Sequence, residues 1–376
     1  MKNILFAIYA FFFNLGAKIG VKENRIGLVS VHNASFKDSL GEVERVLKIR
    51  GNYEIFKTAR TSLGNKKTAI RFITKEAFKL GRCRYIFLND NFMPLSRVKP
   101  GKHTEIVQLW HGQGAFKKFG LHIPQPDAIR TRELAANAKL SYVVCSSENV
   151  KHIYAEAFGV PLEKVIATGS PNEDSYFRND SVKTAEQNFF GRFPQLRGKY
   201  LVLYAPTFRE DKKADAALLA GTDFVRLKAS FDKYLKSIGD AREAEILVRL
   251  HPQIHGRNAY VAGARNVTFY ENVNELCLMS DLLITDYSSI CMDFSLQNKP
   301  MLFYAFDLAK YKDSRNFYFD YEAYVPGPVA QTMDALCDVI EKGDFQAEKN
   351  TEFRKFNFGA PDGTATEQLL AKVLKA

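Results

Sequence analysis

Apolar residues recur along the chain in short runs that stop at polar positions, with stretches of helical spacing between them. From Arg25 the residues Ile26, Leu28, Val29 and Val31 form a strand pattern that closes on His32 and Asn33. Leu40, Val43, Val46 and Leu47 then repeat every three or four positions, which predicts a helix over 39–49. A short strand over 54–57 and a basic helix over 68–80 follow. Three further apolar strands are expected: Tyr85–Leu88 ending at Asn89 and Asp90, Glu105–Trp110 ending at His111 and Gly112, and Tyr142–Cys145 ending at Ser146 and Ser147. Strands that alternate with helices and end in polar loops predict a parallel α/β sheet.

Between 188 and 199 the pattern breaks, with Gly191, Pro194 and Gly198 set among charged residues. A second series then begins. Strands are expected at Tyr200–Tyr204, Ile246–Leu250, Val267–Tyr270, Leu282–Thr285 and Met301–Tyr304, with a helix over 222–237 and a last helix over 364–375. Two such series predict two Rossmann-like domains, spanning 23–195 and 196–376. The last helix has no strand partner and is a candidate to pack back on the first domain. In sheets of this kind ligands bind beyond the carboxyl ends of the strands. The polar motifs fall at those ends, so two domains facing across a cleft would place both sets in one site.

Residues 1–22 stand apart. Ile4 to Phe13 is an unbroken apolar run without an obvious signal-peptide cleavage site, and it is shorter than the ~20 residues a spanning helix needs. It is either a buried first helix or an interfacial anchor, with Lys18, Lys22 and Arg25 at the headgroups. The net charge of +11 points to an anionic partner. Basic residues interleaved with 30 Phe and 17 Tyr suit an acidic membrane or a phosphorylated substrate, and no nucleic-acid-binding signature is present. The five cysteines are scattered, with no CxxC pair, so neither a disulfide framework nor a structural zinc is expected, and a reducing cytosol fits.

Three strand ends carry candidate chemistry. Trp110-His111-Gly112-Gln113-Gly114 offers an imidazole that can act as a base near neutral pH, beside glycines that let backbone approach a ligand; an ordinary turn histidine fits the same pattern. Arg249-Leu250-His251-Pro252 puts a cation and a protonatable donor on one side of a strand, which suits a phosphate, or simply ends the strand. Thr285-Asp286-Tyr287-Ser288-Ser289 stands where a helix should begin, with Asp293 one turn on. Free N–H groups and hydroxyls there bind anions, and a plain serine N-cap is the alternative. Ala205-Pro206-Thr207-Phe208-Arg209 and the turn Gly169-Ser170-Pro171-Asn172-Glu173-Asp174 are weaker signals. His32 is a weaker candidate still.

In this order the segments from Trp110 to Ser289, with Asn316-Phe317-Tyr318-Phe319-Asp320-Tyr321 and Val325-Pro326-Gly327-Pro328, resemble the CDP-glycerol glycerophosphotransferases, the teichoic-acid primase and polymerase group. The resemblance covers roughly 105–330 and does not extend clearly to the first hundred residues. It implies a GT-B fold, with a CDP-polyol bound mainly by the C-terminal domain. It implies His111 as base and His251, with Arg249, near the diphosphate. Pro206, Thr207, Ser288, Ser289 and Asp293 match donor-binding positions; Gly112 and Gln113 join that set, and Asn172, Arg209 and Asp286 are further candidates. Two departures stand out. Asn172 replaces an arginine common in the family, so a donor-phosphate contact is either missing or supplied by Arg178 or Arg209. Gln113-Gly114 replaces a Thr-Pro.

The implied reaction moves glycerol phosphate, or ribitol phosphate, from the CDP-polyol to a hydroxyl of a lipid-linked or polymeric glycan at the cytoplasmic face of the cell membrane. CMP leaves, and the product is a teichoic-acid-like or capsule polymer. Phosphoryl transfer needs positioning and charge stabilisation more than covalent catalysis. No Asp-x-Asp motif is evident, so neither a bound metal nor a cofactor is expected. The alternatives are a nucleotide-sugar glycosyltransferase on the same fold and a non-catalytic basic protein that binds membrane or RNA.

Overall fold

Runs such as Tyr200–Tyr204 and Met301–Tyr304 are apolar at every position, and every residue in them is buried. A strand covered on both faces is the mark of a parallel sheet flanked by helices. The computed structural model describes residues 2–31, 36–59, 65–209, 219, 221–251, 261–314 and 317–374; His32, Asn33, Arg60, Pro252, His255 and Asn316 lie outside the described residues.

The chain falls into two units, Met1–Asp174 with Asn357–Ala376, and Ser175–Phe356. The first holds six parallel strands: β1 (Lys22–Ser30), β2 (Glu54–Ala59), β3 (Cys83–Leu88), β4 (Glu105–Gln108), β5 (Tyr142–Cys145) and β6 (Val165–Ala167). Their order is β2-β1-β3-β4-β5-β6. The second holds β7 (Tyr200–Tyr204), β8 (Ala244–Val248), β9 (Arg265–Asn266), β10 (Leu282–Thr285), β11 (Met301–Tyr304) and β12 (Val329–Ala330), in the order β12-β11-β10-β7-β8-β9. The strand order reverses between β1 and β3 in one sheet and between β7 and β10 in the other. Loops leaving the carboxyl ends at these points diverge and leave a crevice.

Several boundaries differ from those expected. The crossing between units follows Asp174, not residue 195. Helix Asn179–Arg192 packs on helix Val273–Met279, and Tyr176 donates its hydroxyl to Asn274 Oδ1 (3.1 Å), so this stretch belongs to the second unit. The Gly191, Pro194 and Gly198 cluster marks the turn into β7. Residues 267–270 form no strand, because the Tyr270 N–H turns back onto the Val267 carbonyl (2.9 Å). Helix Ala365–Val373 packs on helix Ser39–Arg50, and Leu369, Leu370 and Val373 join Leu28, Val43 and Phe87 in the first unit's core.

The N-terminal helix Lys2–Ile19 is two-sided. Tyr9, Ala10 and Phe13 are buried, while Ile4 is 65% and Phe11 63% exposed. Its buried side meets helix Ala77–Gly81 at glycine contacts: a Cβ on Gly16 would lie 2.1 Å from the Phe78 carbonyl oxygen, and one on Gly81 2.0 Å from that of Phe13. Among the described residues no helix is long and apolar enough to cross a membrane. Of the cations expected at its base, Arg25 is buried and pairs with Glu54 (2.6 Å), and Lys22 pairs with the same carboxylate (3.2 Å). Neither is a free headgroup contact.

Candidate active site

In the first unit, β4 stops at Gln108 rather than running to Trp110. Trp110 has φ 61°, a left-handed conformation that costs an ordinary residue roughly 1–2 kcal/mol. Its surroundings hold it there. The Trp110 N–H donates to Gln108 Oε1 (3.0 Å), and its ring lies 5.2 Å from both Phe119 and Phe158. The reversal turns His111 out beyond the strand end, with its ring 4.1 Å from the Trp110 ring. His111 Nδ1 stands 3.7 Å from Asp90 Oδ1, at the end of neighbouring β3. That is longer than a hydrogen bond but close enough for the carboxylate to stabilise an imidazolium.

The loop after His111 is fixed by buried polar groups. Tyr154 donates its hydroxyl to the carbonyls of Gly112 and Gly114 (both 3.1 Å), Gly114 N–H donates to Ser146 Oγ (2.9 Å) and Ala115 N–H to Asn357 Oδ1 (3.1 Å). Gly114 has φ 60° and shapes the turn. Gln113 is half-buried in this loop. Asn172 is half-buried beyond β6, two strands from His111. The turn around it is occupied in holding the fold together. Ser170 N–H donates to Glu173 Oε1 (2.7 Å), and Asp174 accepts from Ala365 and Thr366 N–H (2.8 and 2.9 Å), capping the last helix.

In the second unit the loops after β7, β8 and β10 converge. Asp286 Oδ1 accepts from Thr207 N–H (2.7 Å) and from its neighbour Tyr287 N–H (2.6 Å), which locks the β7 and β10 ends together. Arg209 sits on this lock. Its guanidinium donates to Asp286 Oδ2 (2.9 Å), to both oxygens of Asp307 (2.7 and 2.9 Å) and to the Thr207 carbonyl (2.7 Å). Tyr287 and Tyr311, stacked at 3.7 Å, lie beside it. Burial works against the charge of Asp307, but the hydrogen bond and charge of Arg209 prevail and hold its carboxyl below the usual range. Arg209 and Asp286 therefore build the site, and these guanidinium donors point into the protein rather than to a ligand.

His251 follows β8, half-buried, its ring 4.7 Å from that of Phe208 in the β7 loop. Arg249 is half-buried, with Nη1 donating to the Tyr270 carbonyl (2.6 Å); burial lowers the pKa of its guanidinium. Ser289 precedes helix Ile290–Ser295, is exposed, and makes no capping bond with its side chain; Ser288 beside it is half-buried. Asp293 is half-buried one turn on. Burial pushes the Cys277 thiol up to about 12, and the charge of Asp293 adds to that shift. Thr207 and Pro206 are buried in the β7 loop. Arg178, the other suggested substitute cation, bonds Asp180 and Ser181 at the start of its own helix.

Sequence reasoning gave no role to Asp90, Asp307, Tyr154 or Tyr287. Asp90 follows the same strand-end rule that singled out His111 and was within reach of it. The others act through partners distant in the chain.

The sequence profile of a family described as CDP-Glycerol:Poly(glycerophosphate) glycerophosphotransferase matches residues 10–375, which takes in most of the first hundred residues as well. The chain is 29% identical over 377 residues to the teichoic acid poly(ribitol-phosphate) polymerase of Bacillus spizizenii, covering 98% of this chain and 59% of that protein. It is 28% identical over 368 residues to the teichoic acid ribitol-phosphate primase of the same species, covering 94% and 92%. The chain thus spans little more than half the length of the first curated relatives it matches. Among solved structures, the wall teichoic acid polymerase TagF superposes with a TM-score of 0.75 at 21% identity, over 99% of this chain and 94% of that one. That likeness shows the fold.

Proposed function

The chain belongs to the CDP-glycerol:poly(glycerophosphate) glycerophosphotransferase family, and on that premise we propose that it moves a polyol phosphate from a CDP-polyol to an acceptor hydroxyl in teichoic-acid synthesis. The observation that carries the reading is the His111–Asp90 pair, held out beyond β4 by a strained and heavily braced loop. Backbone strain of this kind concentrates at functional sites. His111 takes the proton of the acceptor hydroxyl as its oxygen attacks the distal phosphorus. The new P–O bond forms as the bond to the CMP oxygen breaks, and CMP leaves with the negative charge. Asp90 stabilises the imidazolium. Arg249 and His251, with the hydroxyls of Ser288 and Ser289, bear the diphosphate; Pro206, Thr207, Gly112, Gln113 and Asp293 complete the donor set, and Asn172 stands as a further candidate. Incubation with CDP-glycerol, CDP-ribitol and UDP-sugars tests this reading: CMP release from a CDP-polyol supports it, and UDP release from a sugar nucleotide would replace it with glycosyl transfer.

A hydrogen bond to a charged group contributes roughly 1.5–3 kcal/mol. Ser289→Ala should therefore raise the donor KM about ten- to a hundredfold, with the acceptor KM unchanged. Unaltered donor kinetics in the Ser288→Ala, Ser289→Ala double variant would remove both residues from the set.

The acceptor is proposed to be a lipid-linked or polymeric glycan at an anionic membrane surface, with the protein peripheral on the cytoplasmic face. The support is the outer face of the N-terminal helix, where Ile4, Phe11 and Ile19 are exposed. The basic residues of the first unit support it less, since many are paired internally: Lys48 and Lys57 with Glu44, Arg71 with Glu76 and Arg84 with Glu23. Vesicle binding should thus depend mainly on apolar contact. Replacing Ile4, Phe11 and Ile19 together with Asn should weaken sedimentation with phosphatidylglycerol vesicles at least ~10-fold, at about 1 kcal/mol for each partly inserted side chain. Undiminished binding by the triple variant would shift the attachment to another surface.

A further inference from the structure

The first unit contains an apolar cavity of about 430 Å³ next to the histidine pair. Leu5, Phe6 and Tyr9 of the N-terminal helix form one wall, and Phe72, Ile73 and Phe92 face them. Two charged side chains reach it. One is Asp90, whose carboxylate stands 3.7 Å from His111 Nδ1. The other is Arg132, half-buried, with its guanidinium 5.5 Å from the Phe6 ring centre and donating to Asn3 Oδ1 (3.1 Å). An apolar chamber with one cation, Arg132, and one carboxylate, Asp90, at its wall, the carboxylate standing beside the proposed base His111, matches an amphiphile with a hydrocarbon chain and an anionic head that the arginine meets. A simple polyol or a free nucleotide would leave this lining unused.

The geometry points to this cavity as the seat of the acceptor's hydrocarbon chain, with the anionic head toward Arg132 and the acceptor hydroxyl led past Asp90 to His111. This rests on the phosphotransfer reading and narrows its acceptor to a lipid-tailed molecule whose chain enters the protein. It is distinct from adsorption on the outer face, because Tyr9 and Phe72 are buried while Ile4 and Phe11 are not.

The test is calorimetric titration of the full chain with dodecyl phosphate below its micelle concentration, with inorganic phosphate as the head-only control. Saturable binding with a negative heat-capacity change is expected for the former and not for the latter. Across a series of alkyl phosphates, affinity should rise about three- to fourfold per methylene until the chain fills the cavity. Ile73→Trp, which fills the cavity from its wall, should weaken dodecyl phosphate binding at least ~10-fold, and Met93→Trp, at a second lining position, should do the same. The Ile4→Asn, Phe11→Asn variant should bind as the wild type does. With a tailed and a tailless acceptor, Ile73→Trp should raise the KM of the tailed one alone. Absence of dodecyl phosphate binding, or its loss in the outer-face variant rather than in Ile73→Trp, overturns the proposal even where CDP-polyol turnover is intact. Saturable binding that obeys these rules in a protein that releases no CMP would uphold the chain site and sink the phosphotransfer reading instead.

Discussion

His111→Ala should lower CDP-polyol turnover by about 10²–10⁴-fold, the usual contribution of a positioned general base, while the thermal transition stays where it is. The residue is exposed beyond β4 and contributes little to the core, so its loss leaves no cavity. The strain at Trp110 and the braces from Tyr154 and Ser146 remain in the variant. Asp90→Asn should give a smaller loss, because it removes the charge beside Nδ1 and leaves the base. His251→Ala is expected to be comparably damaging through the donor half-site. Near wild-type turnover in His111→Ala, with an unchanged melting curve, would strip the residue of its role.

Arg209→Leu should be severe for a different reason. The guanidinium serves two carboxylates, and the side chains of Arg209 and Asp286 are only 8% and 3% exposed. Removing one partner of such a buried network leaves uncompensated charge, at about 3–5 kcal/mol. The transition of the second unit in urea should shift by that amount while that of the first stays put. Donor binding should fail with it, because the β7 and β10 loops lose their common anchor. The pH dependence has a definite sign. The carboxyl of Asp307 is held low by Arg209 once folded, so the pair's stabilisation is present above the ordinary aspartate range and is lost as pH falls through the lowered folded value. The variant should lose that part of the acid dependence. Arg209→Lys keeps a charge but not the planar fork, and should recover only part of the stability. An unshifted second transition in Arg209→Leu would make the network incidental.

The strands that set the site were legible because both faces are buried: Tyr200–Tyr204, Leu282–Thr285 and Met301–Tyr304 are buried without interruption, and polar residues or loops end them abruptly. What happens immediately past those ends was not. Nothing local announces that Trp110 reverses the backbone, since its support comes from Phe119 and Phe158. Arg209 looked like a free cation because its partner Asp307 lies 98 positions away. Strands of two or three residues, β9, β12 and β6, are too short for alternation to register. The boundary expected at 195 failed because glycine and proline mark turns as readily as they mark linkers. The tight meeting of Gly16 with helix Ala77–Gly81 is a property of two surfaces and has no signature in either stretch alone.

The first unit is discontinuous, and that imposes an order on how the protein is made. Its core is sealed by Leu369, Leu370 and Val373, on a helix whose first N–H groups are capped by Asp174. On the ribosome, Asp174 and the six strands of the first sheet emerge long before that helix does, whereas the second unit is one uninterrupted stretch. Chains lengthen at about 5–20 residues per second, so for roughly ten to forty seconds the nascent first sheet waits with one side of its core uncovered. The second unit can complete its own fold first. Chaperones that shield exposed apolar surface have their natural opportunity in that interval, on the sheet of the first unit.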